Sequence, residues 1–103
     1  MGKPVVLVGS FDTKGAEFQF IRDLIQDRGL QTVLVDFGVL GEPAFEADFS
    51  NDDVARAGGS SISELREKQD KTLAMRTMTA GLSKVVADLY AQGRLGGIVG
   101  MGG

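Results

Sequence analysis

Residues 4–15 read Pro4-Val5-Val6-Leu7-Val8-Gly9-Ser10-Phe11-Asp12-Thr13-Lys14-Gly15. The run from Pro4 to Gly9 is short, apolar and rich in β-branched side chains. No position in it needs water, which is the pattern of a strand covered on both faces. Thr32-Val33-Leu34-Val35-Asp36 has the same character and closes on a carboxylate. Leu95-Gly96-Gly97-Ile98-Val99-Gly100 is a third candidate, weakened by its glycines.

Helical spacing separates these runs. Phe18, Ile21, Leu24, Ile25 and Arg28 recur at three- and four-residue intervals, with Gly29 as the residue that ends the helix. A longer pattern over residues 70–92 carries Leu73, Met75, Met78, Leu82, Val85, Val86 and Leu89, and Gly93 stops it. Met78 and Gly81 lie one turn apart, so that face is expected to approach the sheet closely. Phe18, Phe20, Met75 and Met78 are expected in or near the core. Residues 37–69 read as a long irregular connection holding short helices near 52–57 and 63–68, each started by a capping-box spacing. A connection of this length is usually functional or packs against something.

The order β-α-β-(loop, short helices)-α-β indicates an α/β fold with a parallel sheet, Rossmann-like and three-layered. The apolar first run belongs in the centre, which predicts spatial order 2-1-3. The topological switch point then lies at the carboxyl ends of strands 1 and 3, where ligands bind in such sheets. The third strand would be an edge with no charge or proline to protect it. The long helix, roughly 35 Å against roughly 20 Å for a six-residue strand, would overhang the sheet. Both features fit a single domain over 1–103 that is the N-terminal portion of a larger one.

Composition narrows the chemistry. The 103 residues are 43% hydrophobic and 24% charged, the range of an ordinary globular domain. Eleven Lys and Arg against fourteen Asp and Glu give a net charge of −3, which argues against nucleic acid or an anionic membrane as partner. Cysteine and histidine are both absent, which removes zinc sites, thiol nucleophiles and histidine bases. No apolar run is long enough to span a bilayer and no signal-peptide pattern opens the chain, so a cytoplasmic protein is expected.

Two loops meet at the predicted switch point. In the first, Gly9, Ser10, Asp12, Thr13, Lys14 and Gly15 lead from strand to helix. The helix start offers unpaired amides and positive dipole, Lys14 a point charge and Thr13 a hydroxyl. It is neither a P-loop nor a dinucleotide fingerprint, since both glycine spacings are missing. The plainer reading is that Asp12 or Thr13 caps the helix and Lys14 is solvated or paired with Glu17. The second loop holds Gly100, Gly102 and Gly103, whose backbone amides can converge on a phosphate; its plainer reading is a tight turn.

Asp36 sits where dinucleotide folds bring an acid to a ribose, or forms an Asx turn with Phe37 and Gly38. Asp12 could help hold Mg²⁺ beside a phosphate. Asp52 and Asp53 complement a helix dipole, and Arg66, Lys68, Lys71 and Arg76 read as a solvated helix face or a partner surface.

The segment Gly9-Ser10-Phe11-Asp12-Thr13-Lys14-Gly15-x-Glu17 resembles a signature of the tobamovirus-resistance-protein-like ATP-binding family, many of whose members are uncharacterised microbial proteins. The resemblance continues through Val35-Asp36-Phe37-Gly38-Val39, Gly41-x-Pro43, Asp70-Lys71, Met78-x-x-Gly81 and the glycine-rich end from Gly93 to Gly103. It implies a longer protein whose first domain is Rossmann-like and binds ATP, its glycine turn continuing into Ser-Gly-Gly-Thr. The family usually has arginine where this chain has Lys71, and glycine where it has Thr72. No shared reaction comes with it, so whether the chain is an enzyme stays open. The expected ligand is ATP, with Mg²⁺ as companion ion; an NAD-dependent oxidoreductase is a more distant reading. The alternative of another class is an interaction or oligomerisation module, with the remainder of the chain or a second copy paired to the third strand.

Overall fold

The computed structural model describes residues 3–39, 41, 43 and 45–100. Three strands, β1 (Val5–Gly9), β2 (Thr32–Asp36) and β3 (Gly97–Gly100), join four helices: α1 (Gly15–Asp27), α2 (Asn51–Ala57), α3 (Ile62–Lys68) and α4 (Lys71–Ala91). They follow one another as β1-α1-β2-α2-α3-α4-β3, and the strands form one parallel sheet in the order β2-β1-β3. This is the expected α/β open sheet with order 2-1-3. Leu7 sits level with Leu34 and Val99, and Val8 level with Val35 and Gly100.

Alternation along the strands sorts the core into two layers. Val6, Val8, Val33 and Val35 pack with Val54 and Ala55 of α2, Ile62 and Leu65 of α3, and Met78, Val85 and Leu89 of α4. Leu7 and Leu34 face the other way, against Phe11 and Phe18. Helices on both faces follow from two right-handed crossovers that run in opposite lateral directions, from β1 out to β2 and from β2 back past β1 to β3.

On α1, Phe18 is fully buried, and Gly29 ends the helix at φ 80°, the left-handed conformation expected of it. Phe20 is a correction, being 69% exposed. Two residues along a helix turn a side chain by about 200°, so Phe18 and Phe20 cannot share the buried face. Leu24, also counted in the apolar stripe, is 47% exposed.

The caps are largely as the sequence indicates. Ser50 and Asp53 form a reciprocal capping box on α2, the Ser61 side chain accepts from the Glu64 amide on α3, and Asp70 accepts from the Leu73 amide on α4. Asp52 pairs with Arg56 at 2.6 Å and accepts from the Ile62 amide at 3.0 Å, so it also braces α2 to α3.

The connection after β2 is more ordered in its contacts than its composition suggests. Phe45 stacks on Phe11 with ring centroids 4.8 Å apart, and the Arg22 guanidinium lies 5.3 Å from the Phe45 centroid. Phe49 then bridges to Val35, donating to the Leu34 carbonyl and accepting from the Asp36 amide, while Asp48 accepts from the Leu34 amide at 2.7 Å. The outer edge of β2 is thereby covered.

Gly81 brings two helices together, which corrects the expectation that it serves contact with the sheet. A Cβ on Gly81 would run into the Val54 carbonyl of α2, and one on Gly58 into the Thr77 carbonyl of α4. The overhang of α4 is present. Its 21 residues span about 31 Å, whereas a five-residue strand spans about 17 Å. Val85 and Leu89 reach the sheet, but Met75, expected near the core, is 73% exposed because it lies on the overhanging half. Among the described residues no helix is long and apolar enough to cross a membrane.

Gly81→Ala should destabilise the fold by about 1–3 kcal/mol, since neither helix backbone can yield to the added methyl. Gly97→Ala, where a Cβ would meet nothing within 4 Å, should leave the urea unfolding midpoint nearly unchanged. Equal effects of the two substitutions would contradict this account of the α2–α4 crossing.

Candidate functional site

All three strands point their carboxyl ends to one edge. There β1 runs into the turn before α1, β2 into the loop at 37–41, and β3 reaches Gly100. Gly9 closes β1 beneath Phe18, whose ring occupies the place a Cβ would need, so its bareness serves the packing of α1. The Ser10 carbonyl accepts from the amides of Thr13 at 3.3 Å and Lys14 at 2.8 Å. Between them Phe11 turns inward and is fully buried, 5.1 Å from Phe18 by ring centroids. The turn is therefore anchored in the core from its middle.

Lys14, half-buried, is the N-cap residue of α1, and no side chain caps that helix. This corrects the expectation of an Asp12 or Thr13 cap. Thr13 is exposed, and Asp12 reaches across to the second loop, where its Oδ2 accepts from the Gly41 amide at 2.8 Å. Gly15 is buried as the first residue of α1. The amides of Gly15, Ala16 and Glu17 donate to no backbone or side-chain group among the described residues. Nor is Lys14 ion-paired with Glu17 among them.

Asp36 forms the Asx turn. Its Oδ1 accepts from the Gly38 amide at 2.9 Å and from the Phe11 amide at 3.1 Å, so one oxygen joins the loops after β1 and β2. Burial pushes its carboxyl above the usual aspartate range, against the pull of those two amides, and nearby Asp12 adds to the rise. Asp12 Oδ1 is buried with no hydrogen-bond partner among the described residues, and it lies 2.6 Å from where a Cβ on Gly38 would sit.

The 37–41 loop is held from its other side by Arg66, expected on a solvated helix face or a partner surface, and by Asn51, for which the sequence carries no signal. Arg66 on α3 donates from Nε to the Val39 carbonyl at 2.8 Å and from Nη2 to the Gly41 carbonyl at 3.1 Å. Asn51 Nδ2 donates to the Gly38 carbonyl at 2.8 Å. Lys68 instead pairs with Glu64 at 3.0 Å on the helix surface.

Beside this loop opens a cavity of about 980 Å³. Phe37, Val39, Leu65, Met75, Met78 and Leu82 supply most of its apolar lining, Ser10 closes it at the end of β1, and Arg66, Gln69 and Lys71 add polar groups. The sequence signal for it was the overhang of α4, whose apolar stripe continues past the ends of the strands.

Gly100 ends β3 level with Val8, on the same edge as the Ser10–Lys14 turn. Gly102 and Gly103 lie outside the described residues. Among the described residues no group of three or more acids gathers as a metal site.

Asp36→Ala would leave two buried amides without an acceptor, at about 1–3 kcal/mol each in unfolding free energy. Asp36→Asn keeps an acceptor and removes the charge. A carboxyl whose pKa is raised on folding contributes stability below its unfolded pKa and loses it as pH rises through the folded one. Urea titrations from pH 4 to 7, in rough steps across the upper aspartate range, should show that loss in the parent and a flatter profile in Asp36→Asn.

A family model described as an uncharacterised protein family (UPF0261) N-terminal domain matches residues 3–103. The chain is 40% identical over all 103 residues to a UPF0261 protein of Clostridium tetani, covering 100% of this chain and 26% of that relative. It is 32% identical over 99 residues, 96% of its length, to UPF0261 proteins of Brucella suis and Brucella melitensis, covering 24% of each. The chain thus spans about a quarter of the length of these curated relatives. No solved structure matches it. Matched almost end to end by the model of its N-terminal domain, the chain belongs to the uncharacterised protein family UPF0261.

Proposed function

We propose that this domain binds a nucleotide, ATP foremost, with the phosphates at the turn between β1 and α1. The observation that carries the reading is the uncapped start of α1 at the carboxyl end of the central strand. Three amides without partners among the described residues, the positive end of the helix dipole and the half-buried Lys14 come together there. Phosphate uses all three. Neither Asp12 nor Asp36 occupies that helix start: Asp12 Oδ2 accepts from the Gly41 amide, and Asp36 Oδ1 from those of Gly38 and Phe11.

In this reading Lys14 contacts a phosphate oxygen, Gly15 presents its amide, and Gly100, at the end of the neighbouring β3, bounds the other side. Mg²⁺ would arrive with the phosphates, with Asp12 as its nearest carboxylate in the turn. The likeness of residues 9–17 to an ATP-binding signature favours ATP over other nucleotides. NAD is less favoured, because Asp36 Oδ1 is already shared by two amides.

A nucleotide at a hundred times its Kd should add about 2.7 kcal/mol to stability. The intact protein should therefore show a thermal shift with millimolar ATP or ADP. Lys14→Ala should weaken binding by roughly tenfold or more, the scale of a lost charge-assisted hydrogen bond. No shift with ATP, ADP or NAD overturns the proposal.

A second reading is favoured by β3. Ile98 is 52% and Val99 37% exposed, the strand carries no charge or proline, and no described residue pairs with its outer edge. Such an edge templates a further strand, from the remainder of a longer chain or from a second copy. Sedimentation velocity tests the second copy: self-association abolished by Ile98→Lys supports it, and a monomer for the parent chain removes it.

A further inference from the structure

We infer that the cavity between the 37–39 loop and the α3–α4 side receives the uncharged, planar body of the ligand, a purine nucleoside moiety, while its anionic end lies at the β1–α1 turn. The inference rests on the nucleotide reading above and extends it to the adjoining, mostly apolar cavity.

Continuity joins the two regions. Ser10 lines the cavity, and its carbonyl is 2.8 Å from the amide of Lys14, the cap residue of α1. The two regions therefore adjoin at Ser10. The volume, about 980 Å³, lies at the upper end of the roughly 300–1,000 Å³ typical of small-ligand sites.

The chemistry of the lining selects an aromatic body over further phosphate. Phe37 provides an aromatic partner, and Met75 and Met78 provide thioethers, which make favourable contacts with rings and adapt to their shape. Met75 is 73% exposed on the overhanging half of α4, where no strand is available to cover it. Gln69 adds an amide side chain, with a donor and an acceptor together, as the edge of a purine requires. Arg66 is less available than its charge suggests, since Nε and Nη2 are engaged by the Val39 and Gly41 carbonyls.

Calorimetry on the intact protein separates the two halves of the ligand, using adenosine, sodium tripolyphosphate and ATP as probes. Met75→Glu sets a carboxylate at the apolar rim, and the exposure of Met75 leaves the urea midpoint unaffected. It should weaken adenosine and ATP by about tenfold or more, with a clearly smaller effect on tripolyphosphate. Lys14→Ala should do the reverse, weakening tripolyphosphate and ATP more than adenosine. If ATP binds and responds to Lys14→Ala while adenosine fails to bind and Met75→Glu leaves ATP affinity intact, the cavity assignment is overturned and the nucleotide reading survives. Adenosine binding that depends on Met75, with ATP and tripolyphosphate both ignored, overturns the anion site alone. Failure of all three probes overturns both.

Discussion

Val6, Leu7 and Val8 are removed from water on one face of the sheet or the other, and that demand governs the architecture. A strand with no wet face needs a neighbour on each side and a helical layer above and below. Right-handed crossovers then put α1 on one face and α2 to α4 on the other, with β2 and β3 flanking β1. The connection from β1 leads toward β2 and away from β3, which opens a crevice at the carboxyl ends of β1 and β3. The candidate site is where the central strand's two neighbours diverge.

At that edge the carboxylates serve structure, and their engagement leaves the helix start open. Asp36 binds the amides of Phe11 and Gly38, Asp12 binds that of Gly41, and Arg66 holds the carbonyls of Val39 and Gly41. Had Asp12 turned back to cap α1, it would have filled the positive end of the dipole with its own charge. The 37–41 loop is instead tied both to the turn after β1 and to α3, so that turn and the cavity share a common wall.

Much of this could be read in advance from local pattern. The strand runs, the order 2-1-3, the caps at Ser50 and Ser61, the Asx turn at Asp36 and the overhang of α4 each follow from spacing or residue type over a few positions. The failures share a cause. Phe20 and Met75 have core-type side chains on surfaces that face away from the core, Gly81 meets α2 rather than the sheet, and Asp12 pairs 29 residues away. Each depends on which element lies opposite, and apolar character says only that some neighbour is wanted.

The sequence by itself determined the class of fold and the central position of β1, because β-branched apolar runs and right-handed connections leave few arrangements. It also determined that these 103 residues bring no imidazole or thiol to any chemistry, since histidine and cysteine are absent from them. Only the tertiary structure decided that Arg66 clasps the 37–41 loop, that Phe11 anchors the first turn, and that α4 and Phe37 flank an open cavity. These are contacts between segments distant along the chain. Their partners are backbone carbonyls and apolar surfaces that any residue type can present, so proximity in space is the only thing that selects them.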